Sequence, residues 1–214
     1  MIKNLRRGLV AAVLTFAALA PTPAHADEFT LMEGIASLPV ADEIREGYKR
    51  ELYPHWKDDD KNGCSARNDV LIAEAIEVAT VGAGCTLTGG VWHSYYDDVL
   101  VYGPSGVDID HMVPLAEVHD SGGYGWSTER RRRYANDLGS EVTLVGVSAR
   151  SNRQKADQDP ATWMPMEAVH CRYIGEWVIT KKRWGLNVDE AEREALFRYA
   201  TGCPDVVLTF DPAS

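Results

Sequence analysis

Asp110 and His111 stand side by side at the end of an alternating run, Val107-Asp108-Ile109-Asp110-His111, and Asn152 follows further along in Ser151-Asn152-Arg153-Gln154-Lys155. Successive side chains of a strand turn to opposite faces, so Asp110 can hold a metal on one side while His111 presents an imidazole on the other. A strand-borne carboxylate and a helix-borne amide oxygen can converge on one hard cation, with water completing its shell. The Asp-His pair alone carries little weight, because a surface histidine beside a strand-end acid is commoner than a site. Its company is what raises it.

The elements that must position these residues are legible from pattern. Val107 and Ile109 share one face of a strand, and Asp108 and Asp110 the other. Pro114 to His119 reads as a short helix with proline near its first turn. Ser127-Thr128-Glu129 opens another, with a hydroxyl cap ahead of an acid, and Gly139 stops it. Val142, Leu144 and Val147 mark a second strand, and Ser148 to Lys155 a helix capped by Ser148. The unit is therefore strand, insertion, strand, helix. Upstream, apolar residues at three- and four-residue spacing predict helices over Ala41 to Leu52 and Asn68 to Ala79. From Cys85 to Asp110 the run of Thr, Val, Trp and Tyr, punctuated by Gly-Gly, Asp-Asp and Gly-Pro-Ser-Gly, predicts short strands. Two more helices, about 166–184 and 189–200, are expected to cover the sheet, so the class is α+β. The stretch from His55 to Gly63 looks like an EF-hand loop at first sight, but without the fixed acidic, Gly and terminal Glu spacing a solvated turn is expected.

With 214 residues, 45% hydrophobic and 25% charged, the chain is neither disordered, collagen-like nor a multi-span membrane protein. Its 22 Lys and Arg against 32 Asp and Glu give a formal charge of −10, so the molecule as a whole repels nucleic acid and any phosphate-binding role must rest on a local site. Lys3, Arg6 and Arg7, the apolar run Leu9 to Ala20 and Ala24-His25-Ala26 form a secretory signal pattern, which the apolar run is too short to convert into a stable membrane span. The expected organisation is a signal peptide over 1–26, an N-terminal segment over 27–40 and a single domain over 41–214. The product is secreted, not membrane-bound after cleavage, and a monomer. Cys64, Cys85, Cys171 and Cys203 then point to disulfides. Three pairings exist, of which the sequence-near one, Cys64–Cys85 and Cys171–Cys203, is expected. A four-thiolate zinc site is the rival, but no C-x2-C pair would pre-form it.

Asp108-Ile109-Asp110-His111-Met112-Val113-Pro114-Leu115, Tyr134-Ala135-Asn136-Asp137-Leu138 and the run from Asn152 to Pro160 resemble the secreted HNH nucleases, whose domain is similar to the C-terminal domain of GmrSD restriction enzymes. Gly63-Cys64-Ser65-Ala66-Arg67, and Gly84-Cys85 followed by Trp92, are similar to that family's N-terminal half, so the likeness spans about residues 40–203. It implies a ββα-metal (HNH, His-Me finger) core and hydrolysis of phosphodiester bonds, usually in DNA; whether RNA is also cleaved stays open. It also implies a divalent cation, Mg²⁺ first, with Mn²⁺, Ca²⁺ and Zn²⁺ as alternatives. In that reading His111 is the general base, Asp110 and Asn152 are metal ligands, and Glu117 holds a metal-bound water or an arginine unless it is a solvated helix carboxylate. Arg67, Arg150, Arg153 and Lys155 are placed to contact phosphates. A histidine of ordinary pKa can take a proton from water at neutral pH.

The chain departs from the pattern at one point. The middle Asn of an HNH motif sits just before the second strand, where this sequence has Gly139-Ser140-Glu141, and Asn136 lies a few residues earlier. The residue that orients His111 therefore stays open. Arg130 to Arg133 divide evenly between substrate contact and solvation, and His55, His93, His119 and His170 are read as structural or exposed. No sequence-reading module is present, so cleavage is expected without base specificity, and endonuclease or exonuclease action is undecided. Two other readings remain, a cell-wall hydrolase built on a carboxylate pair and a non-catalytic envelope-binding module with a structural metal.

Overall fold

A computed structural model describes residues 27–205 and 207–213; the expected signal peptide lies outside them. In chain order the elements are β1 (Asp27–Thr30), α1 (Leu31–Ser37), α2 (Ala66–Glu74), β2 (Thr80–Val81), β3 (Leu87–Thr88), β4 (Val91–Ser94), β5 (Val99–Tyr102), β6 (Val107–His111), α3 (Leu115–Asp120), α4 (Thr128–Ala135), β7 (Leu144–Ser148), α5 (Ala149–Lys155), α6 (His170–Trp184), α7 (Glu190–Ala200) and β8 (Val207–Phe210). The strands pair antiparallel as β1–β8, β2–β3, β4–β5 and β6–β7. No described helix is long and apolar enough to cross a membrane.

β6 and β7 are in register from Val107↔Ser148 to His111↔Leu144, so Asp110 faces Val145 across the pair and Asp108 faces Val147. The two faces of this ribbon are buried differently. Val107, Ile109 and Leu144 pack with Ala66, Val70 and Leu71 of α2 and with Trp92, whereas Val145 and Val147 join a larger core containing Met112, Tyr134, Tyr173, Ile174, Trp177 and Leu196. Phe29, Leu31 and Ile35 belong to that larger core, which makes the 27–40 segment part of the same packed body. Each full Leu- or Phe-sized side chain buried there contributes about 1.5–3 kcal/mol.

Local sequence explains most boundaries. The Ser148 hydroxyl accepts the Ser151 N–H and Ser127 accepts that of Arg130, so both expected caps start their helices. α6 ends on Gly185 at φ +62, the left-handed C-cap position that glycine adopts without cost from a Cβ. Two expected helices differ. Residues 41–49 carry helical spacing but no helix: Ala41 N–H donates to the Val188 carbonyl, Ile44 N–H to that of Asp120, and Gly47 sits at φ +78. This stretch is a strap fixed by tertiary bonds, followed by a single 3-10 turn over Arg50–Leu52. The second helix begins earlier than its apolar spacing suggests, because Ser65 caps it, and ends at Glu74, whose carboxylate turns to the Gly146 N–H of β7. α4 likewise stops at Ala135, ahead of Gly139.

Both disulfides pair as the nearness of the cysteines predicts. Cys64–Cys85 ties the start of α2 to the β2–β3 hairpin, and Cys171–Cys203 ties α6 to the end of α7.

Candidate functional site

The ribbon β6–β7 and the helix α5 bring the sequence's sharpest motif together. Asn152 and Lys155 lie three residues apart on one face of α5. They meet Asp108 and Asp110, two apart on one face of β6. The Asn152 amide nitrogen donates to Asp108 Oδ2 at 3.2 Å, and Lys155 Nζ donates to Asp110 Oδ2 at 2.6 Å and to the carbonyls of His111 and Met112 at 2.9 Å each. The Tyr96 hydroxyl donates to the same Asp110 oxygen at 2.7 Å. Burial drives the Asp110 carboxyl above its ordinary range, and the Lys155 ammonium opposes that shift.

This geometry corrects the reading of Lys155. Its side chain is 0% exposed and its three donors are spent on Asp110 and two carbonyls, so it cannot reach a phosphate. Asp110, in turn, receives both Tyr96 and Lys155 on Oδ2, so Oδ1 lies outside these two bonds. Asn152 gives Nδ2 to Asp108, so its carbonyl oxygen is the atom that could meet a cation. A carboxylate oxygen and an amide oxygen are donors that suit a hard divalent cation.

His111 occupies the opposite face of the strand. Its ring is stacked on Trp56 at 5.3 Å between centroids and on Tyr134 at 6.0 Å, with His55 edge-on at 6.4 Å. Nε2 lies 3.0 Å from the Ala135 carbonyl. A carbonyl only accepts, so the neutral ring carries its proton on Nε2 and its basic lone pair on Nδ1. Burial pushes the His111 pKa down to about 3, against the opposing pull of the Ala135 carbonyl, so the imidazole is uncharged at neutral pH.

The side chain of Asn136 makes its hydrogen bonds away from the His111 ring. Its Nδ2 donates to the carbonyls of Pro54 and Arg132 at 2.8 and 2.7 Å, and its Oδ1 accepts the Lys57 N–H at 2.7 Å. It straps the 54–57 segment, which bears His55 and Trp56, against the end of α4. The residue before it, Ala135, holds His111 through its backbone. The open question of what orients His111 thus has a main-chain answer, with Asn136 acting on the aromatic cover. Trp56, at φ +58, holds a strained backbone conformation under that strap.

Other expected participants lie elsewhere. Glu117 is buried rather than solvated, accepting from Lys181 Nζ at 2.8 Å and from the Ser121 hydroxyl at 2.5 Å. It forms an acidic group with Glu43 and Asp120, whose charge Lys181 and Arg45 offset. Burial and the neighbouring Glu117 push Glu43 up to about 7. Arg67 donates to the carbonyls of Pro104 and Val107 at 3.1 and 3.0 Å, so it clamps the entry to β6 rather than standing clear for a phosphate. Arg130 bonds the Trp184 carbonyl, Arg131 the carbonyls of Gly123 and Tyr124, and Arg132 pairs with Glu129 and Asp59. The dense basic run is therefore largely spent inside the fold. Arg150 is exposed, and Arg153 is 78% exposed at 3.8 Å from Asp108, so these two remain accessible on α5. His119 is structural, near Tyr53 and the Glu46 carbonyl. A cavity of about 700 Å³ lined by Glu74, Tyr95, Gly146 and Glu176 is separate from His111 and Asp110.

Sequence reasoning did not find Tyr96, Trp56 or His55. Each reaches the site from a distant stretch of chain, and no fixed spacing marks them.

β6 ending in Asp110-His111, its partner β7 and α5 carrying Asn152 form one compact unit. A family described as the C-terminal domain of GmrSD restriction endonucleases matches residues 50–199. The chain belongs to that family. A protein of Arthroderma benhamiae named "Uncharacterized secreted protein" is 34% identical over 196 residues, covering 89% of this chain and 94% of the relative. No solved structure matches.

Proposed function

We propose that this chain is a secreted, metal-dependent nuclease that hydrolyses phosphodiester bonds in DNA without base specificity. The observation that carries the reading is His111: a neutral imidazole with its Nε2 proton tied to the Ala135 carbonyl and its basic nitrogen directed elsewhere, one residue from an Asp110 that keeps an oxygen outside its internal bonds. Secretion agrees with the relative's name and with two disulfides, which persist in oxidising compartments.

Asp110 and Asn152 would hold the divalent cation, whose chemistry is to neutralise charge on the phosphoryl oxygens and the leaving oxygen. The chain's own residues do the rest. Stacking between Trp56 and Tyr134 fixes the plane of the His111 ring, and the Ala135 carbonyl fixes its tautomer. Nδ1 accepts a proton from the attacking water, and the anionic phosphodiester beside it raises the ring's proton affinity from its low resting value. Arg153 and Arg150 supply positive charge at the exposed edge of α5, which an acidic molecule needs locally.

The test is to incubate the purified protein with plasmid and linear DNA, with and without Mg²⁺ or Mn²⁺ and with chelator. Metal-dependent cleavage is expected. His111→Ala should keep metal affinity by calorimetry while losing about 10²- to 10⁴-fold in single-turnover cleavage. Asp110→Ala should lose metal affinity and recover partly at high cation concentration. Metal binding without cleavage in the unmodified protein would instead select the envelope-binding module.

A further inference from the structure

The loop between the Trp56 segment and α2 carries acids that the catalytic reading does not use. Counted from Asp58, the chain has Asp at position 1, Asp60 at 3, Asn62 at 5, Gly63 at 6, the Cys64 carbonyl at 7 and Asp69 at 12. This is the ligand spacing of a twelve-residue calcium loop, with Asp in the last place instead of Glu. The expectation that this stretch lacks calcium-loop spacing is corrected on two counts: the acidic and Gly positions are present from Asp58 to Gly63, and the closing carboxylate lies further on, in the first turn of α2.

The structure supplies what spacing alone does not. Asp69 Oδ2 is buried and has no hydrogen-bond partner, and a buried carboxylate oxygen left without a donor or cation is costly. The Asn62 amide nitrogen sits between Asp60 Oδ2 at 2.9 Å and Asp69 Oδ1 at 3.0 Å, a weak positive dipole between two anions. Asp58 Oδ2 accepts the Gly63 N–H at 3.1 Å, and Gly63 holds φ +93, a conformation that favours glycine. Turns closed by Asp58 and Asp60 account for the loop's shape, but they leave the orphaned Asp69 oxygen unexplained. Arg132 pairs with Asp59, which is not among these ligands. The disulfide from Cys64 to Cys85 pins the loop at the residue whose carbonyl would face the ion.

We propose that Asp58, Asp60, Asp69 and the Cys64 carbonyl form a calcium site, which Asn62 joins through Oδ1, the atom that accepts the Cys64 N–H, once its amide nitrogen turns away from the two carboxylates; the site is distinct from the Asp110–Asn152 pair and independent of the nuclease reading. Asp at the last position is one methylene shorter than Glu and reaches the ion with less, so the affinity falls in the range of extracellular modules, a Kd of about 10⁻⁴–10⁻³ M.

The experiment uses the full, chelator-treated protein. Calcium is titrated by calorimetry, and terbium luminescence sensitised by Trp56, two residues from Asp58, is competed with calcium. One calcium in the stated range is expected, retained by the double variant Asp110→Ala, Asn152→Ala. It should be weakened at least tenfold by Asp58→Asn with Asp60→Asn, and likewise by Asp69→Asn, which alters the site from α2 and carries the test alone if the loop variant does not fold. Calcium at ten times its Kd should raise the melting temperature of the unmodified protein by about 2–6 °C and that of Asp69→Asn by much less. Three results overturn the proposal: no binding at 10 mM calcium, binding unchanged in the loop and Asp69 variants, or binding lost only in the Asp110–Asn152 variant.

Discussion

Lys155→Met is the perturbation that most directly tests how the β6–α5 junction is built. The ammonium is fully buried and donates to Asp110 Oδ2, the His111 carbonyl and the Met112 carbonyl. Methionine keeps the length of the side chain and removes the charge, leaving the Asp110 carboxylate with Tyr96 as its remaining donor. Breaking a buried pair by removing one partner costs about 3–5 kcal/mol. At about 2–4 °C per kcal/mol for a chain of this size, the melting temperature should fall by about 6–20 °C. Urea unfolding should show the loss as a lower midpoint at unchanged slope. Adding Asp110→Asn to Lys155→Met should restore part of the loss, because a neutral amide does not need the counter-charge. The salt dependence of DNA binding should not change. A Lys155→Met protein as stable as the parent, whose binding slope against log salt drops by about 1, would place the ammonium on a phosphate and refute the argument from burial.

Asn136→Ala should cost about 1 kcal/mol by removing hydrogen bonds to the half-buried carbonyls of Pro54 and Arg132. It should also slow single-turnover cleavage by loosening the Trp56 cover, while calorimetric metal affinity stays within twofold. Arg153→Ala should weaken DNA binding and reduce its salt slope by about 1, whereas Arg67→Ala should lower stability with the slope unchanged; fluorescence anisotropy across a salt series separates them. Burial raises the Glu74 pKa from 4.5 to about 7, against the Gly146 N–H, so the folded state holds that proton more tightly than the unfolded chain. Stability should therefore decline as pH rises from about 4.5 to about 7 and then level off. Glu74→Gln, which can still accept the Gly146 N–H, should match the parent near pH 4.5 and exceed it by on the order of 1 kcal/mol near pH 8 in denaturant titrations.

Elements governed by local rules were legible in the sequence. The two-residue alternation from Val107 to Asp110 placed apolar and acidic side chains on opposite faces as found, and Ser148 and Ser127 start their helices because a hydroxyl cap is a nearest-neighbour effect. What local rules do not govern was read differently. Residues 41–49 have helical spacing, yet bonds to Val188 and Asp120 from distant elements decide their path. Lys155 looks like one more cation on a basic helix until the position of Asp110 opposite it is known. Arg130 and Arg131 spend donors on the carbonyls of Trp184, Gly123 and Tyr124, and Arg132 on Asp59, partners whose nearness no spacing reveals. The candidate site was half legible for the same reason: Asp110, His111 and Asn152 share one compact unit, whereas Tyr96, Trp56 and the Ala135 carbonyl arrive through tertiary folding.

The pairing of β1 with β8 makes the beginning and end of the described chain neighbours, from Asp27↔Phe210 to Thr30↔Val207. Phe29 and Phe210 meet edge to face at 5.9 Å, and the Lys182 ammonium lies 4.9 and 5.1 Å from the two ring centres. This latch encloses every other described element in one long loop. The entropic cost of closing so long a loop grows only with the logarithm of its length, but the contact forms late because its halves are made first and last. β1 therefore stays unpaired until β8 has been made, and the closed molecule exists only once the described chain is nearly complete. A circular permutant that links the two strands through a short turn and opens in an exposed loop would keep every contact while removing that wait.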